Sequence, residues 1–160
     1  MIEFDLNGAP ISIDLPGNMS LLTALRGPLA LHGTRYGCGA EQCGACMVLV
    51  DNRAAYACTR CLDTLAGRQV VTVEGLGSPE APHPLQRAFL DEQAGQCGYC
   101  LSGMLMSAAA LLACEPEPDA MAIRAALDRN LCRCGAHNRI VRAVLAAAAE
   151  LRKTQPEAAT

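Results

Sequence analysis

The 160 residues carry a net charge of −3, with no basic stripe and no run of aromatics, which excludes a nucleic-acid partner on electrostatic grounds. That length holds one ordinary domain or two small ones, each near the size where an apolar core gives only marginal stability, and with 51% hydrophobic but 3% aromatic residues and no Trp the core must be built from Ala, Leu, Val, Ile and Met. The longest apolar stretch, residues 104–114, is too short to cross a bilayer, and Met-Ile-Glu-Phe-Asp lacks the basic start and apolar centre of a signal peptide, so a soluble, unprocessed, cytoplasmic chain without membrane insertion is expected.

Ile2, Phe4 and Leu6 alternate with Glu3 and Asp5, Asn7-Gly8 offers a tight turn, and Ile11, Ile13 and Leu15 resume the alternation; this predicts a β-hairpin. Pro16-Gly17 closes it. Ser20 is a suitable N-cap for a short helix carrying Leu21, Leu22 and Leu25 and ending before Gly27-Pro28. A cysteine-rich loop follows. Residues 47–50, the Asp51-Asn52 turn and residues 53–57 read as a second hairpin, with Val70, Val71 and Val73 as a later strand. The Gly- and Pro-rich stretch 75–84 reads as a connector, and beyond it the period changes. Four helices are predicted there, over 85–94, 101–114, 120–129 and 138–153, with Glu115-Pro-Glu-Pro118 breaking the middle. The fold class is therefore α+β: a mixed domain over residues 1–76, an all-α four-helix domain over 77–153 and a tail over 154–160. Each helix pair brackets a cysteine pair, which predicts two similar halves folded face to face.

Ten Cys in a chain without a secretion signal argue against a disulfide framework, because a reducing cytosol keeps thiols free. They are read as ligands. Cys38, Cys43 and Cys46, with Cys58 after eleven intervening residues, follow the C-x4-C-x2-C spacing of plant-type ferredoxins, in which three ligands from one loop and a distant fourth surround a two-iron core. Gly37, Gly39 and Gly44 let the backbone take positive φ and approach the cluster, so that N–H groups point at its sulfurs. Those donors stabilise an anionic cluster and raise its potential. Cys97 and Cys100, together with Cys132 and Cys134, form a second set. Cys100 directly precedes one predicted helix and Cys134 lies just before another, so two positive helix ends face this set.

By itself the second set leaves a zinc site open; both sets in one chain favour two clusters. Cys61, three residues after Cys58, competes as fourth ligand of the first set, with Cys58 preferred. Cys114, ending an apolar helix, is expected in the core. His32, His83 and His137 lack metal-ligand spacing and are read as structural or exposed, Met104 and Met106 as packing, and Arg133, Arg139 and Arg142 as a solvated face.

Gly37-Cys-Gly-Ala-Glu-Gln-Cys-Gly-Ala-Cys46, Gln96-Cys-Gly-Tyr-Cys100 and Asn130-Leu-Cys-Arg-Cys134 resemble the iron–sulfur subunit of the xanthine oxidase family of molybdenum hydroxylases, over roughly residues 1 to 150. The resemblance implies an N-terminal β-grasp ferredoxin domain and a C-terminal four-helix [2Fe-2S]-binding domain. It makes Cys38, Cys43, Cys46 and Cys58 ligands of an outer [2Fe-2S] cluster, and Cys97, Cys100, Cys132 and Cys134 ligands of an inner cluster nearer molybdenum. It implies that Gln96 and Cys134 approach the pterin of a molybdenum cofactor, commonly molybdopterin cytosine dinucleotide in bacterial members, held by a separate large subunit. Single electrons then pass through the clusters to an acceptor. Glu41-Gln42 and Gly135-Ala-His-Asn-Arg-Ile140 are most similar to the branch containing isoquinoline 1-oxidoreductase, nicotinate dehydrogenase and aldehyde oxidoreductase. Many of its members lack a flavin subunit, so the acceptor is a FAD subunit, a cytochrome c or another carrier. Export to the periplasm on a partner's signal is compatible with this sequence. The competing readings are a free-standing ferredoxin-like carrier, for which the first domain suffices, and a zinc-dependent interaction module.

Overall fold

A computed structural model describes residues 1–154. Strands β1 (Ile2–Leu6) and β2 (Ala9–Ile13) form the first hairpin, Asn7 and Gly8 taking φ of 55° and 81° at its turn, the mirror-image turn that matches strand twist. Helix α1 (Leu21–Arg26) starts at Ser20, whose hydroxyl accepts the Thr23 N–H. After the cysteine loop, β3 (Met47–Val50) pairs antiparallel with β4 (Arg53–Tyr56). A short 3-10 turn at Leu62–Leu65 leads to β5 (Gln69–Val71), which inserts between β1, parallel to it, and β3, antiparallel to it. The sheet order is β2-β1-β5-β3-β4. This mixed sheet curled around α1 is the β-grasp arrangement. Val73, expected in the last strand, instead begins a 3-10 turn, Val73–Gly75.

The second domain contains α2 (Pro84–Asp91), α3 (Leu101–Cys114), α4 (Ala120–Leu127) and α5 (His137–Thr154). Helix α2 stops three residues short of its predicted end because Gln93 turns left-handed, at φ 48°, and the Ala94 N–H returns to the Phe89 carbonyl. That closure buries Ala94 and satisfies a terminal carbonyl. Helix α4 likewise ends at Leu127, two residues before its predicted end. Thr154, assigned to the tail, closes α5; residues 155–160 lie outside the described residues. As the bracketed cysteines suggested, each half packs across onto the other, α2 on α5 and α3 on α4.

Three apolar clusters hold the molecule together. Phe4, Leu21, Leu25, Val48, Leu62 and Val70 fill the space between the sheet and α1, while Leu85, Phe89, Met104, Ile123, Ile140 and Val144 form the helical core. The third lies at the seam, where Met47 and Leu49 on the other face of β3 meet Met106 of α3. Both faces of β3 are covered, which is why Met-Val-Leu-Val is apolar without alternation. Helix α3 is apolar all round for the same reason: one side faces the sheet and the other faces α4. Met104 and Met106 are both fully buried, as packing residues should be. Among the described residues, no helix is long and apolar enough to cross a membrane.

Candidate metal centres

The first cysteine set stands on a loop tied down at its entry. Arg26, in the last turn of α1, donates from Nη1 to the carbonyls of His32 (2.8 Å) and Thr34 (2.9 Å). Beyond that anchor the loop wraps round its own sulfurs. The N–H groups of Ala40 and Gln42 donate to Cys38 Sγ at 3.4 and 3.2 Å, and the Cys38 N–H donates to Cys43 Sγ at 3.3 Å. Donors aimed at a sulfur favour its anion, and the Ala40 and Gln42 bonds bring the Cys38 thiol down to about 7. Cys46 is buried at the start of β3, and burial pushes its thiol up to about 11. Its neighbour is Cys58, which shares a hydrogen bond with it from the loop after β4. Cys61 turns away, its Sγ facing the Thr59 carbonyl and its backbone bridging Ser20. Of the loop glycines, Gly39 and Gly44 have positive φ, whereas Gly37 does not: it is needed for close approach, since a Cβ there would lie 2.6 Å from Cys43 Sγ.

The second set draws on two connections of the helical domain, the one between α2 and α3 and the one between α4 and α5. Cys97 and Cys134, which are 37 residues apart, bring their sulfurs to 3.5 Å, and Cys100 shares a hydrogen bond with Cys132. Cys100 occupies the N-cap position of α3 without a capping side-chain bond. Burial pushes its thiol up to about 12, with the adjacent Cys132 adding to the shift. Burial also pushes Cys132 up, but the N–H groups of Ala136, Cys134 and Gly135 and the Cys100 thiol outweigh it and leave Cys132 lowered. Here the N–H groups leading into α5 reach one sulfur, Cys132, of the set that the predicted helix end was expected to face.

Both sets therefore gather by twos: Cys38 with Cys43, Cys46 with Cys58, Cys97 with Cys134 and Cys100 with Cys132. Among the described residues no three Cys, His, Asp or Glu side chains converge on one point. A two-iron core takes two thiolates on each iron, so paired thiols with N–H groups directed at them fit such a core, whereas a mononuclear zinc gathers four ligands at once. Between the sets lies a cavity of about 230 Å³, with Cys43 and Ala45 on one wall and Cys97, Cys100, Cys132 and Cys134 on the other. Gln96 donates from Nε2 to the Cys134 carbonyl at 3.0 Å, so these two predicted residues stand together beside a hollow of about 330 Å³ lined by Gln96, Gly135 and Arg139.

Cys114 corrects its expectation. It is exposed, on the rim of a surface hollow between Arg53 and Ala54 of the sheet and Ala125 and Ala126 of α4. His32 and His137 are exposed, and half-buried His83 caps α2. Three residues that were given no role from the sequence join the two sets. Asn130 donates to the Gly44 carbonyl, the Tyr99 hydroxyl donates to the Tyr36 carbonyl, and the Arg35 guanidinium lies 5.7 Å over the Tyr99 ring. Only their adjacence to the cysteine motifs signals them.

Comparison with known proteins agrees with this geometry. Residues 4–70 match the family described as "2Fe-2S iron-sulfur cluster binding domain", and residues 72–145 match "[2Fe-2S] binding domain". Fold and matches together define a two-domain iron–sulfur protein of electron transfer. The chain is 51% identical to a nicotinate dehydrogenase subunit from Pseudomonas putida, covering 95% of this chain and 97% of that one. It is 48% identical to the alpha subunit of isoquinoline 1-oxidoreductase from Brevundimonas diminuta, covering 94% and 99%. The structure of quinoline 2-oxidoreductase from Pseudomonas putida 86 superposes with a TM-score of 0.90 at 34% identity, covering 97% of each chain. The chain belongs to the iron–sulfur subunits of the xanthine oxidase family of molybdenum hydroxylases. Its partner is a large molybdenum-bearing subunit, and a free-standing carrier is not favoured.

Proposed function

We propose that Cys38, Cys43, Cys46 and Cys58 hold the outer cluster, that Cys97, Cys100, Cys132 and Cys134 hold the inner one, and that Gln96 and Cys134 meet the pterin of the large subunit's cofactor. When bound, the clusters supply single reversible electron steps, dividing the two-electron oxidation on the large subunit into one-electron transfers. The chain's own residues tune and insulate those steps. N–H groups of Ala40, Gln42 and Ala136 stabilise negative charge on the cysteine sulfurs they reach. Buried Ala45 and half-buried Leu101 pack beside the two cysteine sets and help to keep water from them. The division between domains falls at residues 76 and 77, within the connector between β5 and α2.

The observation that carries this reading is the gathering of eight thiols into four pairs in two groups, with Cys43 of one group and all four cysteines of the other lining one cavity. The nicotinate and isoquinoline names of the relatives support an N-heterocycle as the partner's substrate, ahead of an aldehyde. Cys38 and the loop around it are exposed, which suits delivery of electrons at the outer set to a FAD subunit or a cytochrome c. The complex resides in the cytoplasm unless the large subunit carries an export signal. Reconstituted protein should contain about four iron and about four acid-labile sulfide per chain. Cys132→Ser should abolish the inner cluster and substrate-driven acceptor reduction while leaving the outer cluster's electron spin resonance signal. A colourless preparation with stoichiometric zinc and no iron would instead establish the zinc module.

A further inference from the structure

We infer that Asn130 is a positioning residue that locks the outer-cluster loop onto the inner-cluster segment and thereby sets the gap between the two metal centres. The inference rests on the cysteine assignment proposed above. After α4 ends at Leu127, residues 129–131 run without helix or strand against the outer loop and lead directly into Cys132. Asn130 is 4% exposed, and a buried amide is costly unless hydrogen-bonded. Its Nδ2 donates to the Gly44 carbonyl at 3.1 Å, and the N–H of the next residue, Leu131, donates to the Cys43 carbonyl at 2.9 Å. Consecutive carbonyls of one loop are thus held by consecutive donors of the other. Leu131 contributes its N–H rather than its side chain, which is largely exposed.

The grip leaves no slack. Gly44 has φ 70°, and a Cβ there would lie 2.5 Å from Asn130 Nδ2 and collide with the Arg129 carbonyl. From behind, Gly103 of α3 comes so close that a Cβ on it would collide with the Gly44 carbonyl oxygen. The other end of the Asn130 amide supports a positioning role. Its Oδ1 is buried without a hydrogen-bond partner among the described residues, a cost that an apolar side chain would not incur. Asparagine acts here through what its N–H does.

The clamp also makes a short bonded path. From Cys43 the route runs through its own carbonyl and one hydrogen bond to the Leu131 N–H, and Leu131 is bonded directly to Cys132. Only backbone atoms are used, and no proton has to move along it. Electronic coupling between two centres falls steeply with distance and with each gap crossed through space, so a loop that drifted from this contact would weaken it.

The test uses the full complex with both clusters reduced, where two nearby paramagnetic centres split each other's electron spin resonance lines. Asn130→Asp keeps the side chain's shape but loses the donor; Asn130→Ala removes both. Each variant should retain wild-type iron and sulfide and each cluster's own line positions. The mutual splitting should shrink, and amide hydrogen exchange across residues 129–131 should speed up. Splitting and exchange both equal to wild type would overturn the inference. If neither variant assembles, exchange in the wild-type complex decides: a slowly exchanging Leu131 amide supports the clamp, and one as fast as an open loop refutes it. Failure of the cysteine assignment itself would appear as missing iron in wild-type protein, before any variant is made.

Discussion

Cys58 and Cys61 both follow β4, and only the first shares a hydrogen bond with Cys46, whereas the second faces the Thr59 carbonyl. Sulfur position thus discriminates between residues of identical chemistry. Cys58→Ser should lose the outer cluster, while Cys61→Ser should keep it, and iron content with visible absorption would separate the two outcomes. Protons matter at the same scale. Thiols bind iron as thiolates, and burial holds Cys46 near 11 and Cys100 near 12, so those two remain protonated at neutral pH until metal displaces the proton. Cluster assembly on the apoprotein should release protons, and its affinity should rise as the pH is raised above about 7, which titration in weakly buffered solution measures.

At the start of α2, His83 Nδ1 accepts the Leu85 N–H at 3.1 Å while Gln86 Oε1 accepts the His83 N–H at 2.9 Å, closing a reciprocal cap at the entry to the helical domain. Burial lowers the His83 pKa below 6.5, with nearby Glu150 pulling weakly the other way. A protonated Nδ1 also cannot accept the Leu85 bond. The folded state therefore binds this proton less well than the unfolded chain. Its stabilising contribution is fully present above about 6.5 and is lost as the pH falls through the lower folded-state value. Denaturation followed between neutral and acid pH should show that loss. His83→Asn, which keeps a capping side chain, should remove the pH dependence, and His83→Ala should cost about 1 kcal/mol at neutral pH.

Helix α3 belongs to both domains, with Met104 in the helical core and Met106 against Met47 and Leu49 of the sheet. The two metal centres inherit their relation from that shared helix, because Cys100 stands at its N-cap and Gly103 backs the outer loop one turn later. Met106→Ala would leave a void at the seam and should cost about 2–5 kcal/mol. The loss should reduce cooperativity between the domains as well as stability. Calorimetry of the variant should show a lower and broader transition than wild type, and a sharp single transition at the wild-type temperature would count against the seam as the joint.

Local pattern carried much of this protein into view. Alternation at Ile2, Phe4 and Leu6, the Asn7-Gly8 turn, the Ser20 cap and the spacing of Cys38, Cys43 and Cys46 each depend on neighbours within a few residues, so the chain alone predicted the hairpin, the first helix and the cysteine loop, and the family resemblance extended the expected ligands to eight. The pairing of Cys97 with Cys134 and of Cys100 with Cys132, the turn of Cys61 away from Cys46, the exposure of Cys114 and the Asn130 clamp were decided only by the tertiary structure. Most of them depend on residues far apart in the chain, as Cys97 and Cys134, Asn130 and Gly44, or Cys61 and Ser20 do, and such long-range packing leaves no periodic trace in the residues that meet.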